Sequence, residues 1–153
     1  MSERLTAGGI CTRSVTIASR NTSLDGAARL MRDNHVGSVV VVDEVGEQRI
    51  VVGLLTDRDI VTAVVAKDLL PSSLRVEELM TTDLLTARPE DSLADLMRAM
   101  RHKGVRRVPV VGQKNQLIGI VSLDDLLETL TEELGLLVAT IQRSGQRERE
   151  MRP

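Results

Sequence analysis

Apolar positions along the chain fall into two kinds of pattern, and each kind occurs twice. Leu24, Ala27, Ala28 and Met31 recur at helical spacing, and so do Leu93, Leu96, Met97 and Met100. An i, i+3, i+4, i+7 stripe predicts an amphipathic helix with one buried face. Ser23 stands where an N-cap belongs, and Ser92 with Asp95 three residues on reads as a capping arrangement. Val39–Val42 and Val108–Val111, the latter containing Pro109, are short and β-branched, the pattern of strands buried on both faces. A polar turn follows each run, at Asp43–Arg49 and Gly112–Gln116, and then a further apolar run, Ile50–Leu55 or Leu117–Val121. Shorter stretches ahead of the two helices, Val15-Thr16-Ile17 and Leu84-Leu85-Thr86, suit brief strands. A second helix is predicted to start at Thr56 and at Ser122.

These recurrences are one internal repeat. Ile10-Cys11-Thr12-Arg13-Ser14 lies over Leu79-Met80-Thr81-Thr82-Asp83, and the register runs on through Ser23/Ser92, Arg29/Arg98, Met31/Met100 and Val41/Val110. A short deletion in the following turn shifts it, after which Gly53 meets Gly119, Thr56 meets Ser122 and Asp59 meets Asp125. Each copy reads β-α-β-β-α, and neither alone can cover both sides of its sheet. Two copies packed about a pseudo-twofold axis can, which gives an α/β (α+β) fold. The expected boundaries are repeat one at residues 5–67, a linker at 68–75 around Pro71-Ser72-Ser73, repeat two at 76–130, and a helical extension with a polar tail at 131–153. In that extension Leu127, Leu130, Leu134, Leu137 and Ile141 follow 3-4-3-4 spacing, the seam of a coiled coil or the stripe of a long amphipathic helix. Ser144–Pro153 reads as polar and frayed.

Composition narrows the function. The 153 residues contain no Phe, Tyr or Trp, so the core is aliphatic and any bound base must lie between aliphatic faces and backbone. Twenty basic against 22 acidic residues give a net charge of −2, which argues against a broad electrostatic grip on nucleic acid. No apolar run is long enough to span a bilayer, and Met1–Arg4 show no export signal. A single cysteine and two histidines preclude an internal disulfide and a Cys/His metal cluster, and point to a reducing cytoplasm. His35 and His102 read as helix-end residues, and Cys11, aligned with Met80, as a small buried hydrophobe. No nucleophile or third carboxylate accompanies Asp57/Asp59 or Asp124/Asp125, so the chain does not read as an enzyme.

Gly53-Leu54-Leu55-Thr56-Asp57-Arg58-Asp59 and Gly119-Ile120-Val121-Ser122-Leu123-Asp124-Asp125 share the pattern G-h-h-[S/T]-x-x-D. The hydroxyl and carboxylate cap a helix, but capping does not call for a glycine three residues earlier; glycine there admits a close approach to the backbone. A helix start offers N–H groups to phosphate, a hydroxyl can donate to it, and a carboxylate can accept ribose hydroxyls. Behind a valine-rich strand and repeated in register, this resembles the adenosine-binding signature of cystathionine-β-synthase (CBS) domains. The order of elements is similar to a tandem CBS pair, or Bateman module, from about Leu5 to Leu130.

The resemblance implies a regulatory, non-catalytic protein with two clefts between its repeats. It implies that Arg106 and Arg107, standing where copy one has Gly37 and Ser38, face the phosphates of a nucleotide held by Thr56 and Asp59, with Arg58 a third donor. On this expectation the first cleft is built from Val15, Thr16, Ile17, Val39, Val40, Gly53, Thr56, Arg58, Asp59, Arg106 and Arg107. The second is built from Ser38, Leu84, Leu85, Thr86, Val108, Gly119, Ser122 and Asp125, and the arginines make the first the better phosphate site. No cofactor is required; the implied ligands are AMP, ADP or ATP, with Mg²⁺ as a companion of a triphosphate, or alternatively S-adenosylmethionine. The implied partners are a second copy in a homodimer and a regulated protein. The alternative is a structural homodimerisation module with vestigial clefts.

Overall fold

The two valine runs become the centres of two sheets. In the computed structural model, which describes residues 5–152, β1 (Ile17–Ala18), β2 (Ser38–Val45) and β3 (Gln48–Thr56) form one sheet in the order β1-β2-β3. β4 (Arg107–Val111) and β5 (Leu117–Ser122) form the other. β1 runs parallel to β2, and both hairpins are antiparallel, with a register shift at Val41/Val42 in one and at Val110/Val111 in the other. The helices are α1 (Ala7–Ile10), α2 (Leu24–Asn34), α3 (Asp57–Ala63), α4 (Leu93–Lys103) and α5 (Leu123–Met151). The reading of Met1–Arg4, and the end of the tail at Pro153, lie outside the described residues.

The predicted stripes are the buried faces. Leu24, Ala27 and Met31 of α2 and Leu93, Leu96 and Met100 of α4 turn inward. Ser23 Oγ accepts from Gly26 N and Ser92 Oγ from Asp95 N, so both predicted N-caps form. Three local expectations change. The first hairpin turn is not the whole of Asp43–Arg49: the strands pair up to Val45↔Gln48, and Gly46, at φ +62°, makes a two-residue turn. Leu84–Thr86 is not a strand, since copy two keeps only the parallel bridge Ala87↔Val110. Ser144–Met151 is not frayed but continues α5 as helix.

The cores show why the repeats need each other. Core one joins α2, β2 and β3 to Val76, Leu79 and Met80, which open copy two. Core two joins α4, β4 and β5 to Ala7, Ile10 and Cys11, which open copy one. Each repeat thus lends its first segment to the other. The exchange is stitched symmetrically: Leu54 and Thr81 hydrogen-bond each other through backbone N–H and C=O, and so do Ile120 and Thr12. A third cluster, around Val40, Val42, Val51 and Val111, packs the sheets together at the pseudo-axis, where Ile50 bridges Gln116. With no Phe, Tyr or Trp in the chain, all three fill with Val, Leu, Ile, Ala and Met, and Cys11 joins core two.

The helix ends carry a small asymmetry. α2 stops at His35 with φ 54°, while α4 stops at the equivalent Gly104 with φ 71°. Left-handed backbone costs roughly 1 kcal/mol at a side-chain-bearing residue and little at glycine. His35→Gly is therefore expected to raise stability by up to about 1 kcal/mol, read as a higher urea midpoint. A lower midpoint would mean that the imidazole itself stabilises the fold.

Candidate functional site

Both G-h-h-[S/T]-x-x-D segments run from strand to helix as predicted, and both close a reciprocal cap. Thr56 Oγ1 accepts from Asp59 N (3.2 Å) while Asp59 Oδ2 accepts from Thr56 N (2.9 Å). Ser122 and Asp125 make the same pair at 3.1 and 2.8 Å. Each carboxylate keeps its second oxygen out of the cap. The glycines have a purpose that is not a ligand's. A Cβ on Gly53 would lie 2.6 Å from Met80 Sδ, and one on Gly119 would lie 2.7 Å from both Cys11 Sγ and the Thr12 carbonyl oxygen. The close approach belongs to the exchanged segment of the other repeat, so Gly53 and Gly119 are buried beneath it and line neither cleft.

Two clefts lie at these helix starts. The first, about 520 Å³, gathers Thr56, Arg58 and Asp59 of copy one with Leu84, Leu85, Arg106 and Arg107 of copy two, beside Asp57, Thr81 and Asp83. The second, about 340 Å³, gathers Ser122, Asp124 and Asp125 of copy two with Val15, Thr16, Gly37, Ser38 and Val40 of copy one. The signature residues and the arginines therefore meet as expected across the repeats, and so do Ser38, Ser122 and Asp125. The segments ahead of the first helices, and Val40 of β2 with them, are exchanged relative to expectation: Val15, Thr16 and Val40 line the Asp125 cleft, and Leu84 and Leu85 the Asp59 cleft. Strand pairing is the reason. β1 runs beside β2 of its own copy (Ile17↔Val40), so it accompanies the start of that strand to the opposite repeat's signature.

Other expected members line neither cleft. Val39 and Val108 are fully buried in the cores of their own repeats, because alternate strand residues face opposite ways. Ile17 packs between the sheets, and Thr86 lies along the chain beyond the wall formed by Leu84 and Leu85.

Arg107 departs from expectation in a different way, since it borders both clefts. It starts β4 opposite Ser122, and its Nη2 lies 2.8 Å from where a Gly37 Cβ would be, with Asp57 Oδ2 3.2 Å from the same point. The missing side chain at Gly37 makes room for the guanidinium. Leu123, which holds in copy two the place of Arg58, does not line the second cleft. Among the described residues no ion pair engages Arg58, Arg106 or Arg107. Asp83 does have a partner, Lys103 Nζ at 2.5 Å. The first cleft thus presents three guanidinium groups without carboxylate partners.

Cys11 is half-buried against Gly119, and its Sγ donates to the Gly8 carbonyl at 3.4 Å. Burial pushes its thiol pKa up, against a smaller opposing pull from Arg13, the environment of a packing residue rather than a reactive one. His35 and His102 are both exposed, and among the described residues no three His, Cys, Asp or Glu side chains converge to hold a metal. No helix among them is long and apolar enough to cross a membrane.

Comparison with known proteins matches this chain to the CBS domain twice, over residues 7–66 and 76–132. The CBS domain-containing protein YhcV of Bacillus subtilis is 39% identical over 115 residues, covering 75% of this chain and 78% of that one. Hypoxic response protein 1 of Mycobacterium tuberculosis is 32% identical over 127 residues, covering 83% and 86%. Among solved structures, the CBS domain pair of protein MJ0100, in complex with 5′-methylthioadenosine and S-adenosyl-L-methionine, superposes with a TM-score of 0.74 at 25% identity, covering 84% of this chain and 97% of that one. An uncharacterised conserved protein from Pyrococcus horikoshii gives 0.73 at 30% identity, covering 84% and 93%.

Proposed function

Because the chain belongs to the CBS domain family and carries the domain as a tandem pair, we propose that it is a regulatory module that binds an adenine nucleotide in the Asp59 cleft. The observation that carries this reading is the set of unpartnered guanidinium groups, Arg58, Arg106 and Arg107, beside Thr56 and Asp59. Planar guanidinium forks match phosphate oxygens, and Asp59 retains an oxygen to accept ribose hydroxyls. Leu84 and Leu85 offer aliphatic surface to the base, the only kind a chain without aromatic residues can supply. The adenosyl ligands of the MJ0100 pair support an adenosine-type ligand here. The arginines favour AMP, ADP or ATP over S-adenosylmethionine, whose sulfonium is cationic, and Mg²⁺ would enter only as the companion of a triphosphate. The cleft walls come from both repeats, so a bound ligand bridges them and biases their relative angle, the form in which the signal would reach a regulated partner.

Calorimetric titration with adenosine, AMP, ADP, ATP and S-adenosylmethionine tests the proposal. AMP is expected to bind at least tenfold more tightly than adenosine, and less tightly as salt rises. Arg106→Ala, which alters the first cleft alone, is expected to narrow that gap. Equal affinity for adenosine and AMP sinks the phosphate role of the arginines. Absence of binding by all five compounds leaves a structural assembly module, the reading that the uncovered stripe of α5 would then carry.

A further inference from the structure

α5 begins as the last helix of repeat two, where Leu126 is fully buried, and runs on as one continuous helix to Met151. The predicted seam lies along it and is uncovered: Leu127, Leu130, Leu134, Leu137 and Ile141 are all exposed, Leu134 at 62% and Ile141 at 72%. The helix does not fold back over the N-terminal segment. Gly9 and Ile10 border a cleft that runs along α5 from Asp125 to Leu136 and leave the seam exposed, while Ala7 and Ile10 serve core two.

Charge is distributed along α5 in blocks. Asp124, Asp125, Glu128, Glu132 and Glu133 fill the first part with no cation among them, and Leu134–Gln142 is uncharged. Arg143, Arg147 and Arg149, with Arg152 just past the helix, then outnumber Glu148 and Glu150. Two such helices side by side in the same direction would set acidic block against acidic block. Turned end for end, they set each acidic block against a basic one.

We propose that α5 pairs with α5 of a second copy as an antiparallel two-helix coil, with Leu134 of one copy packed against Leu137 of the other. This register keeps the spacing of the whole seam. Leu130 meets Ile141 in the next layer and Leu127 meets Ser144 in the one after, on both sides of the twofold axis. Arg143 falls level with Glu128 of the second copy, and Arg147 with Asp124. A twofold contact needs only one self-complementary patch, and this helix has apolar and charge patterns complementary to their own reversal. The proposal is independent of what the clefts bind.

The test uses the full chain. In sedimentation velocity at micromolar concentration, Leu134→Ser/Leu137→Ser is expected to weaken self-association at least tenfold, while the urea midpoint measured at a dilution where the parent is monomeric stays close to the parent's, since both side chains are exposed in a single copy. Self-association is also expected to weaken as sodium chloride is raised. Orientation is read from spin labels on Gln146→Cys in a Cys11→Ala background. Antiparallel pairing in this register separates the two labels by about 30 Å along the coil at 1.5 Å per residue. Parallel pairing holds them near the interhelical distance of about 10 Å, and a short distance overturns the proposal. So does a monomeric parent, or a dimer that the double serine variant leaves unchanged.

Discussion

Gly119→Ala is expected to destabilise the protein by about 2–3 kcal/mol, and Gly53→Ala by about 1 kcal/mol or less. The two glycines hold equivalent places in the repeat, and an added methyl meets a different obstacle at each. At Gly119 it would come within 2.7 Å of the Thr12 carbonyl oxygen. That oxygen cannot retreat, because Thr12 and Ile120 are joined by backbone hydrogen bonds of 2.9 and 3.0 Å. At Gly53 all three nearest atoms belong to the side chain of Met80, an unbranched residue with three rotatable bonds that can swing aside. Urea unfolding followed by circular dichroism gives both values. Equal costs, or a larger cost at Gly53, would show that backbone rigidity is not what separates the two sites.

Asp59→Ala is expected to lower AMP affinity by about 10- to 150-fold, the worth of hydrogen bonds to a charged acceptor, while Asp125→Ala leaves it within about threefold. The second variant is a matched control. Both aspartates close the same reciprocal cap, so each substitution removes a comparable contribution of about 1 kcal/mol from its helix start. A general loosening would therefore affect both alike. Binding that survives loss of Asp59 and fails on loss of Asp125 assigns the nucleotide to the smaller cleft, where Arg107 is the one bordering arginine.

Much of this architecture is legible in the chain because helix and strand leave local periodic marks. The stripe Leu24–Met31, the valine runs and the hydroxyl–carboxylate pairs are each decided within a few residues. What crosses from one repeat to the other is not written locally. Val15 and Leu84 each read as flanking the signature of their own copy, whereas parallel pairing of β1 with β2 carries Val15 to the other, and the parallel bridge Ala87↔Val110 does the same for Leu84. The clue was present in the arginines: once Arg106 and Arg107 are assigned across the repeats, Leu84 and Leu85 must travel with them. Gly53 and Gly119 carried the right physics toward the wrong neighbour. A close approach is required at both, but the approaching group is Met80 or Cys11, and a side chain from a distant segment leaves no mark beside the glycine. The exposure of the α5 seam was legible only as an apolar excess beyond the second repeat.

The exchanged first segments also set an order of events during synthesis. Everything that core one needs, from Ala18 to Met80, has been synthesised before repeat two is half made, and its stitch between Leu54 and Thr81 joins nearby stretches. Core two is different. Ala7, Ile10 and Cys11 are made well before their partners around Val108, Val121 and Leu126, which follow about 100 residues later. Contacts so far apart in sequence form slowly, since a long loop must close before they stabilise anything. The segment Ala7–Cys11 is therefore expected to wait, apolar and unclaimed, until repeat two is made, and to be captured late, by β5.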